Sequence, residues 1–334
     1  MIEVGEGTRE DRPLFGGPRL QPAHFEPARV PPEIALYGTE SYTLPVGSPG
    51  KVGILELGFA LRGAGDRQRT ELVHHYQKTP LQIMRPLYYD PLRPDMPYTY
   101  IMTTGGGILH NDRQRMDLDF AEGTSAFITT QAHTKVYRMA SGYATSLVNL
   151  NLAADAYVEY LPDPVIPFTD SRFYQRTAAT VHPDATLVAG ETVYAGRLSR
   201  GERHAYAAFA SDVEIRRPDG TPVAIDRARL VPRHGSVGGP AVLHGRDVVS
   251  TLFVVTSRAP GRVIADTLQD AAAEVMAASA DRTTRFGVSL LPDDAGAWIR
   301  SVGDDTVTST ALHVAITAAV HELLTGLRAP AIRK

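Results

Sequence analysis

Cysteine is absent from all 334 residues. That excludes disulfides, a thiolate metal cage and a cysteine nucleophile, and it suits a reducing compartment. Positive charge is not in excess either. The chain carries 34 Lys plus Arg against 37 Asp plus Glu, a formal net charge of -3. That balance argues against a non-specific nucleic-acid binder. The opening residues, MIEVGEGTREDRP, do not set an apolar run behind a basic stretch, and no apolar stretch reads as long enough to span a bilayer. The expectation is a cytoplasmic protein with neither a membrane nor a nucleic acid as partner.

Catalytic signatures are missing too. Gly105-Gly106-Gly107 is followed by isoleucine, and the next lysine is Lys135, so this is not a phosphate loop. GxGxxG is absent, and neither GxSxG nor SxxK occurs in a strand-turn-helix context. The glycines therefore read as a tight turn or a close backbone approach. The 11 histidines form neither HExxH nor HxH. His74 and His75 are neighbours on an expected strand and point to opposite faces. His313 lies in an apolar helical stripe and reads as a core histidine. No permanent metal site is predicted.

What is present is mostly strand. Residues 1–50 are punctuated by Pro13, Pro18, Pro22, Pro27, Pro31, Pro32, Pro45 and Pro49, which predicts an irregular arm. Residues 51–257 form a β-rich body. ILELGFALR, RTELVHHYQ, TYIMTT, SAFITT, TSLVNLNL, AYVEYL and VVSTLFVVTS are short, apolar or β-branched runs bounded by turn residues. DVEIRRPDGTPVAIDRARL reads as a hairpin turning at Pro218-Asp219-Gly220. Residues 258–334 change period. ADTLQDAAAEVMAASA predicts a helix with Asp266 as its N-cap. TALHVAITAAVHELLTGL predicts another, with Leu312, Ile316, Val320, Leu323, Leu324 and Leu327 as one stripe, ended by Gly326 and Pro330. Such a stripe, if exposed, predicts poor solubility of the lone chain. RFGVSLLPDDAGAWIRSVG lies between them as a strand pair. The fold class is mainly β, with many short strands and C-terminal helices.

The segment Gly105–Arg138 joins a glycine run, an alternating strand, a Gly-Thr turn, a second strand and a basic-aromatic tail. In MDLDF, Met116, Leu118 and Phe120 share one face and Asp117 and Asp119 the other, about 7 Å apart by strand rise. Acid pairs of this kind are usually solvated. Lys135, Tyr137 and Arg138 form a basic-aromatic patch suited to an ion pair or an interface.

In this order the segments GGGILHND, RMDLDF, EGTSAFITT and QAHTKVYR resemble the urease accessory protein family UreD, also called UreH. The family-motif positions are Gly105, Gly106, Thr129, Thr130, Thr134, Lys135, Tyr137 and Arg138, then Gly196 and Arg197 in AGETVYAGRLSRGE. YVEYLPDPVIPF and GVSLLPDDAGAWIRSVGDD extend the likeness, which covers about Gly58 to Leu327. The family's two prolines before the glycines are Thr103 and Thr104 here, and its Pro-Gly-Ala is Gln131-Ala132-His133.

The resemblance implies a non-enzymatic scaffold with its many short strands in a wound, β-helix-like or layered arrangement and with terminal helices. It implies that the scaffold bridges the urease apoprotein to a UreF-like accessory protein, which docks a UreG-like GTPase. Nickel would be transient cargo, no cofactor would be tightly bound, and GTP would act only through the partner. A conduit needs ligands that hold a cation weakly, which oxygen donors do. The candidates are Asp112, Asp117, Asp119, Glu159, Asp163 and Glu191, and Glu191 stands out because it has no evident ion-pair partner in sequence. The alternative is a β-rich hydrolase-like enzyme with a polar cleft around Asp117, Asp119 and His133.

Overall fold

The computed structural model describes residues 21–38, 50–235 and 237–332. The chain winds between two stacked sheets. Of the expected arm, residues 21–38 are described; Pro13, Pro18, Pro45 and Pro49 lie outside the described residues. Residues 21–38 hold two single helical turns, α1 (Pro22–Phe25) and α2 (Pro32–Ala35). Each starts at a proline, whose missing N–H costs nothing in a first turn.

β1 (Val52–Arg62) and β2 (Arg69–Lys78) form an antiparallel pair in the first sheet. The short β3 (Leu81–Gln82) and β4 (Tyr98–Thr103) belong to the second. From there the chain alternates. β5 (Arg113–Phe120) lies in the first sheet, β6 (Ser125–Thr130) in the second, with β7 (Thr134–Val136) at its side. The next turn repeats this with β8 (Ala144–Leu152), β9 (Tyr157–Tyr160) and β10 (Val165–Pro167). β11 (Arg172–Val181), β12 (Thr186–Tyr194) and β13 (Ala208–Arg216) continue the alternation. The strands brought together this way are parallel: β1, β5, β8, β11 and β13 in one sheet, β4, β6, β9 and β12 in the other. This is the expected wound β arrangement.

Antiparallel strands close the ends. β14 (Pro222–Leu230) pairs with β13 across the expected hairpin, whose turn has Gly220 at φ 88°. β15 (Val248–Val255), β17 (Gly296–Gly303) and β16 (Arg285–Leu290) extend the second sheet beyond β12. β11 is the longest of the strands the sequence pattern concealed, because Gln175, Arg176, Thr177 and Thr180 break its apolar alternation.

Strict alternation decides what faces where. In β5, Met116, Leu118 and Phe120 point between the sheets. They pack with Val148, Leu150 and Leu152 of β8 and with Ile128, Val158 and Leu187 of the second sheet. The second sheet's other face carries Phe127, Tyr157, Val188 and Leu252, and two helices cover it. These are α3 (Gly261–Ala278) and α4 (Thr306–Thr325). The layers thus run sheet, sheet, helix pair.

Four expectations change at the helices. α3 begins at Gly261, five residues before Asp266, because the Asp294 carboxylate accepts the Gly261 N–H at 2.8 Å. A distant residue supplies that cap, and Asp266 pairs with Arg262 one turn back instead. α4 starts at Thr306, four residues before the expected Thr310, because Asp305 accepts from the Val307 and Thr308 N–H groups; its expected end at Gly326, φ 72°, holds. Its stripe is not exposed, however: Leu312, Ile316, Val320 and Leu324 are buried against the sheet. At 20 residues and mean hydropathy 1.3, α4 is also long and apolar enough to cross a bilayer by length and composition. No stretch of that kind was expected, yet here the apolar side serves the core.

Leu118 is fully buried between the sheets. Leu118→Ala should cost about 3 kcal/mol of unfolding free energy through the cavity it leaves. Urea titration checks this, and a loss within about 0.5 kcal/mol of zero would mean the inter-sheet layer is not a packed core.

Candidate functional site

The parallel register sorts residues into rows. Gln114 of β5 lies beside Ser146 of β8, which lies beside Gln175 of β11, which lies beside Ser211 of β13. All four side chains point between the sheets, where the neighbouring rows are apolar except for Thr177. The row faces Glu191 of β12 across the core. Glu191 accepts from Gln175 Nε2 at 2.6 Å and from Ser211 Oγ at 2.6 Å. A cavity of about 70 Å³ is lined by Gln114, Ser146 and Gln175 of the row, by Glu191, and also by Thr134, Asp163 and Thr192. Gln114, 4% exposed, brings a side-chain amide nitrogen that no protein group accepts. A polar space of this size suits ordered water.

A second, larger space lies on the far side of the second sheet. A groove of about 730 Å³ runs between α4, residues 329–332 and the segment 161–164. Its lining includes Thr129, His133, Glu159, Asp163, Tyr194 and His313. The groove and the interior cavity share Pro162, Asp163 and Thr192. Thr130 fixes this junction by accepting the Asp163 N–H at 2.8 Å, and Thr129 donates to the Leu161 carbonyl at 2.6 Å. His313 lines the groove, half-buried, instead of filling the core.

The six candidate path residues divide in two. Glu159, Asp163 and Glu191 belong to the groove, the junction and the cavity. Glu159 is buried and accepts from Tyr157 Oη and pairs with His321 Nδ1, both at 2.6 Å. Asp112, Asp117 and Asp119 lie elsewhere. Asp112 is a loop anchor whose two oxygens accept the Lys51 and Leu109 N–H groups at 2.8 Å; burial raises its carboxyl above the ordinary range despite those bonds. Asp117 and Asp119 share a strand face as expected, on the outside of the first sheet, but they are not solvated. Asp117 is 1% exposed, grips Arg115 in a bidentate pair at 2.8 and 3.0 Å, and accepts from Asn149 at 2.8 Å. Asp119 accepts from Asn151 at 2.6 Å beside His74, and burial raises its carboxyl.

The expected hydrolase-like cleft is not assembled. Asp117 and Asp119 face outward from the first sheet, whereas His133 lines the groove outside the second. The winding puts two sheets and the core between them. Among the described residues, no three of His, Asp and Glu are grouped to hold a metal ion.

The glycine segment is a backbone junction. Gly105 and Gly106 adopt φ 96° and 79°, and a Cβ on Gly107 would lie 2.7 Å from the Lys135 carbonyl. Tyr137 donates to the Gly106 carbonyl at 3.1 Å and packs on Phe168. Thr134 and Lys135 belong to β7, with Thr134 beside Val165. Arg138 pairs with Asp170 at 3.1 Å, and both are exposed. Gly196 sits at φ 144°, and Arg197 pairs with Glu202 while stacking on Phe168.

The polar row escaped the sequence reading, although a signal existed. Gln114, Ser146, Gln175 and Ser211 each stand two residues before a largely apolar alternation on their strands. One such residue means nothing. Four become a feature only when the register aligns them.

A wound two-sheet β scaffold, with a polar row through its core and a helix-covered groove outside, is the class these features define. The chain belongs to the UreD urease accessory protein family, whose model matches residues 51–334. It is 54% identical over 294 residues to urease accessory protein UreD 2 of Streptomyces griseus, covering 87% of this chain and 97% of that one. It is 36% identical over 277 residues to UreD 3 of Methylorubrum populi, covering 82% and 86%. With UreD 2 of Brucella suis it shares 33% over 300 residues, covering 89% and 96%.

Two outcomes follow from the carboxylates. Burial raises Glu191 above the ordinary 4.5, against the lowering effect of its hydrogen bonds from Ser211 and Gln175. The fold favours its neutral form, so that contribution is full below pH 4.5 and is lost as pH rises through the folded value. Glu191→Gln should match the parent's stability near pH 4 and exceed it above about pH 7; parallel unfolding curves across that range would refute this. Asp117→Asn should cost about 3 kcal/mol or more, because it takes the paired carboxylate away from the buried Arg115 guanidinium. A neutral result in urea titration would mean that the pair is not a structural lock.

Proposed function

We propose that the chain acts in urease maturation, as a scaffold between the urease apoprotein and a UreF-like accessory protein that docks a UreG-like GTPase. We further infer that nickel is cargo and travels from the groove, past Asp163, to Glu191. The observation that carries this reading is the shared wall: Pro162, Asp163 and Thr192 line both the outer groove and the polar interior. A cation leaving the groove for the interior meets a carboxylate at the junction and a second one beyond it.

The donors suit transit better than storage. Glu191 is a single carboxylate among amide and hydroxyl groups, a set that holds a divalent ion loosely. The polar row of the first sheet supplies further oxygens, so a partly hydrated ion keeps a polar surround. Glu159, already bonded to Tyr157 and His321, serves better to hold α4 against the sheet than to bind cargo. GTP enters only through the partner GTPase, no tightly bound cofactor is needed, and the setting is the cytoplasm.

Glu191→Ala and Asp163→Ala should each lower urease activation at least fivefold when co-expressed with urease and the other accessory proteins (about 1 kcal/mol of lost transfer efficiency, expressed as a rate). Pull-down of the urease and UreF-like partners should be unchanged. Full activation by both variants would remove the interior route, and loss of pull-down would reassign the residues to docking.

A further inference from the structure

The interior cavity brings together two carboxylates, Asp163 and Glu191, and among the described residues no lysine, arginine or histidine lines it. Arg300, the cation that acts on Glu191 from the second sheet, is itself paired with Asp226 of β14. Both hydrogen bonds that Glu191 accepts, from Gln175 Nε2 and Ser211 Oγ, end on one oxygen, Oε2. Oε1 is the oxygen left for a cation. The remaining polar lining is neutral: Gln114, Ser146 and Gln175 from the row, with Thr130 and Thr134 from the second sheet.

Gln114 is the member of this lining that the fold does not account for. It is 4% exposed, it lines the cavity, and its Nε2 has no acceptor among the described residues. A buried amide without a partner is costly. Leucine has nearly the same bulk without that cost, so packing alone does not call for an amide here. An amide carries donors and an acceptor on one neutral group. Its N–H groups suit the oxygen of a cavity water when no ion is present. Its carbonyl suits a hydrogen from the water shell of an ion held by Glu191. A carboxylate in its place would bind the metal directly, and affinity for a hard cation rises with the count of charged ligands. An aliphatic side chain would face that water shell with no polar group at all.

We propose that Gln114 sets how tightly the interior holds a hydrated divalent cation: a neutral amide across the cavity from Glu191 lets the ion keep its water and leave. Gln114 is thus a specificity-determining residue of the route, and this role rests on the reading of Asp163 and Glu191 as that route. The neutrality of the row makes the space a passage, and one further carboxylate would make it a store.

The test dialyses the full chain against nickel(II) alone and co-expresses the same variants with urease and the other accessory proteins. Gln114→Glu should bind nickel at least about tenfold more tightly than the parent. Gln114→Leu should bind it no more tightly than the parent, and should be at least as stable in urea because it removes an unmet amide. Both should lower urease activation at least about threefold, the first by retaining the ion and the second by excluding its water. A merely structural role would not move nickel retention and activation in this pattern. Full activation by Gln114→Leu overturns the proposal, and so does a Gln114→Glu chain that binds nickel no more tightly. Should Gln114→Glu not fold, Ser146→Asp places the extra carboxylate at the next position of the row and is read by the same two measurements. If Glu191→Ala lowers activation while the Gln114 variants behave as the parent, the route stands and Gln114 has no part in it. If Glu191→Ala activates fully, the route falls and this role falls with it.

Discussion

In-register parallel pairing of β5, β8, β11 and β13 is the constraint on which the rest of this molecule depends. Each strand returns to the first sheet at the same height, so residues stack in rows: Met116 with Val148, Thr177 and Val213, then Leu118 with Leu150, Ala179 and Ile215. A slip of one residue in any of these strands would turn its apolar set outward. The same pairing aligns Gln114, Ser146, Gln175 and Ser211 into the polar row opposite Glu191. The row lies between two separate apolar clusters, one around Leu118 and one around Phe173 and Phe209. A polar layer inside a core is costly unless its groups are satisfied, and here Glu191 accepts from two of the four.

The helices complete what the sheets begin. α4 buries its apolar stripe on the second sheet, and its polar side forms one wall of the outer groove. Its attachment is partly polar, through His321 and Glu159 beneath the helix. Among the described residues the groove and the interior share Pro162, Asp163 and Thr192, just beyond the stretch where β9 and β12 pair. Parallel neighbours place their ends together, so two carboxylates distant in sequence, Asp163 and Glu191, come to line one cavity.

Charge on the first sheet's outer face is mostly structural. Asp117 neutralises Arg115, Glu26 neutralises Arg113, and Asp119 leans on Asn151. A parallel sheet wants both faces covered. The helices cover one side of this sandwich, while residues 21–38 cover part of the other with little secondary structure of their own. That asymmetry is why the outer face combines buried arginines with imperfectly matched neighbours.

Period-two alternation in MDLDF and SAFITT, the turn chemistry at Pro218-Asp219-Gly220 and the helical stripe ending at Gly326 are local signals. Local signals suffice for strand, turn and helix, and the wound arrangement was legible through family resemblance. β11 was hidden because its inward residues include Gln175 and Thr177, and α3 started early because its cap comes from Asp294. The fate of each carboxylate was not legible at all. By itself the sequence determined the element types, the inward and outward faces and the absence of thiol chemistry, since each depends on residues a few positions apart. Only the tertiary structure decided that Asp117 is locked to Arg115, that Glu191 faces a polar row, and that Asp163 stands between groove and interior. Arg115 and Asp117 stand two positions apart, but their burial, like the partners of Glu191 and Asp163, is set by residues many positions away that the winding brings within a few ångströms.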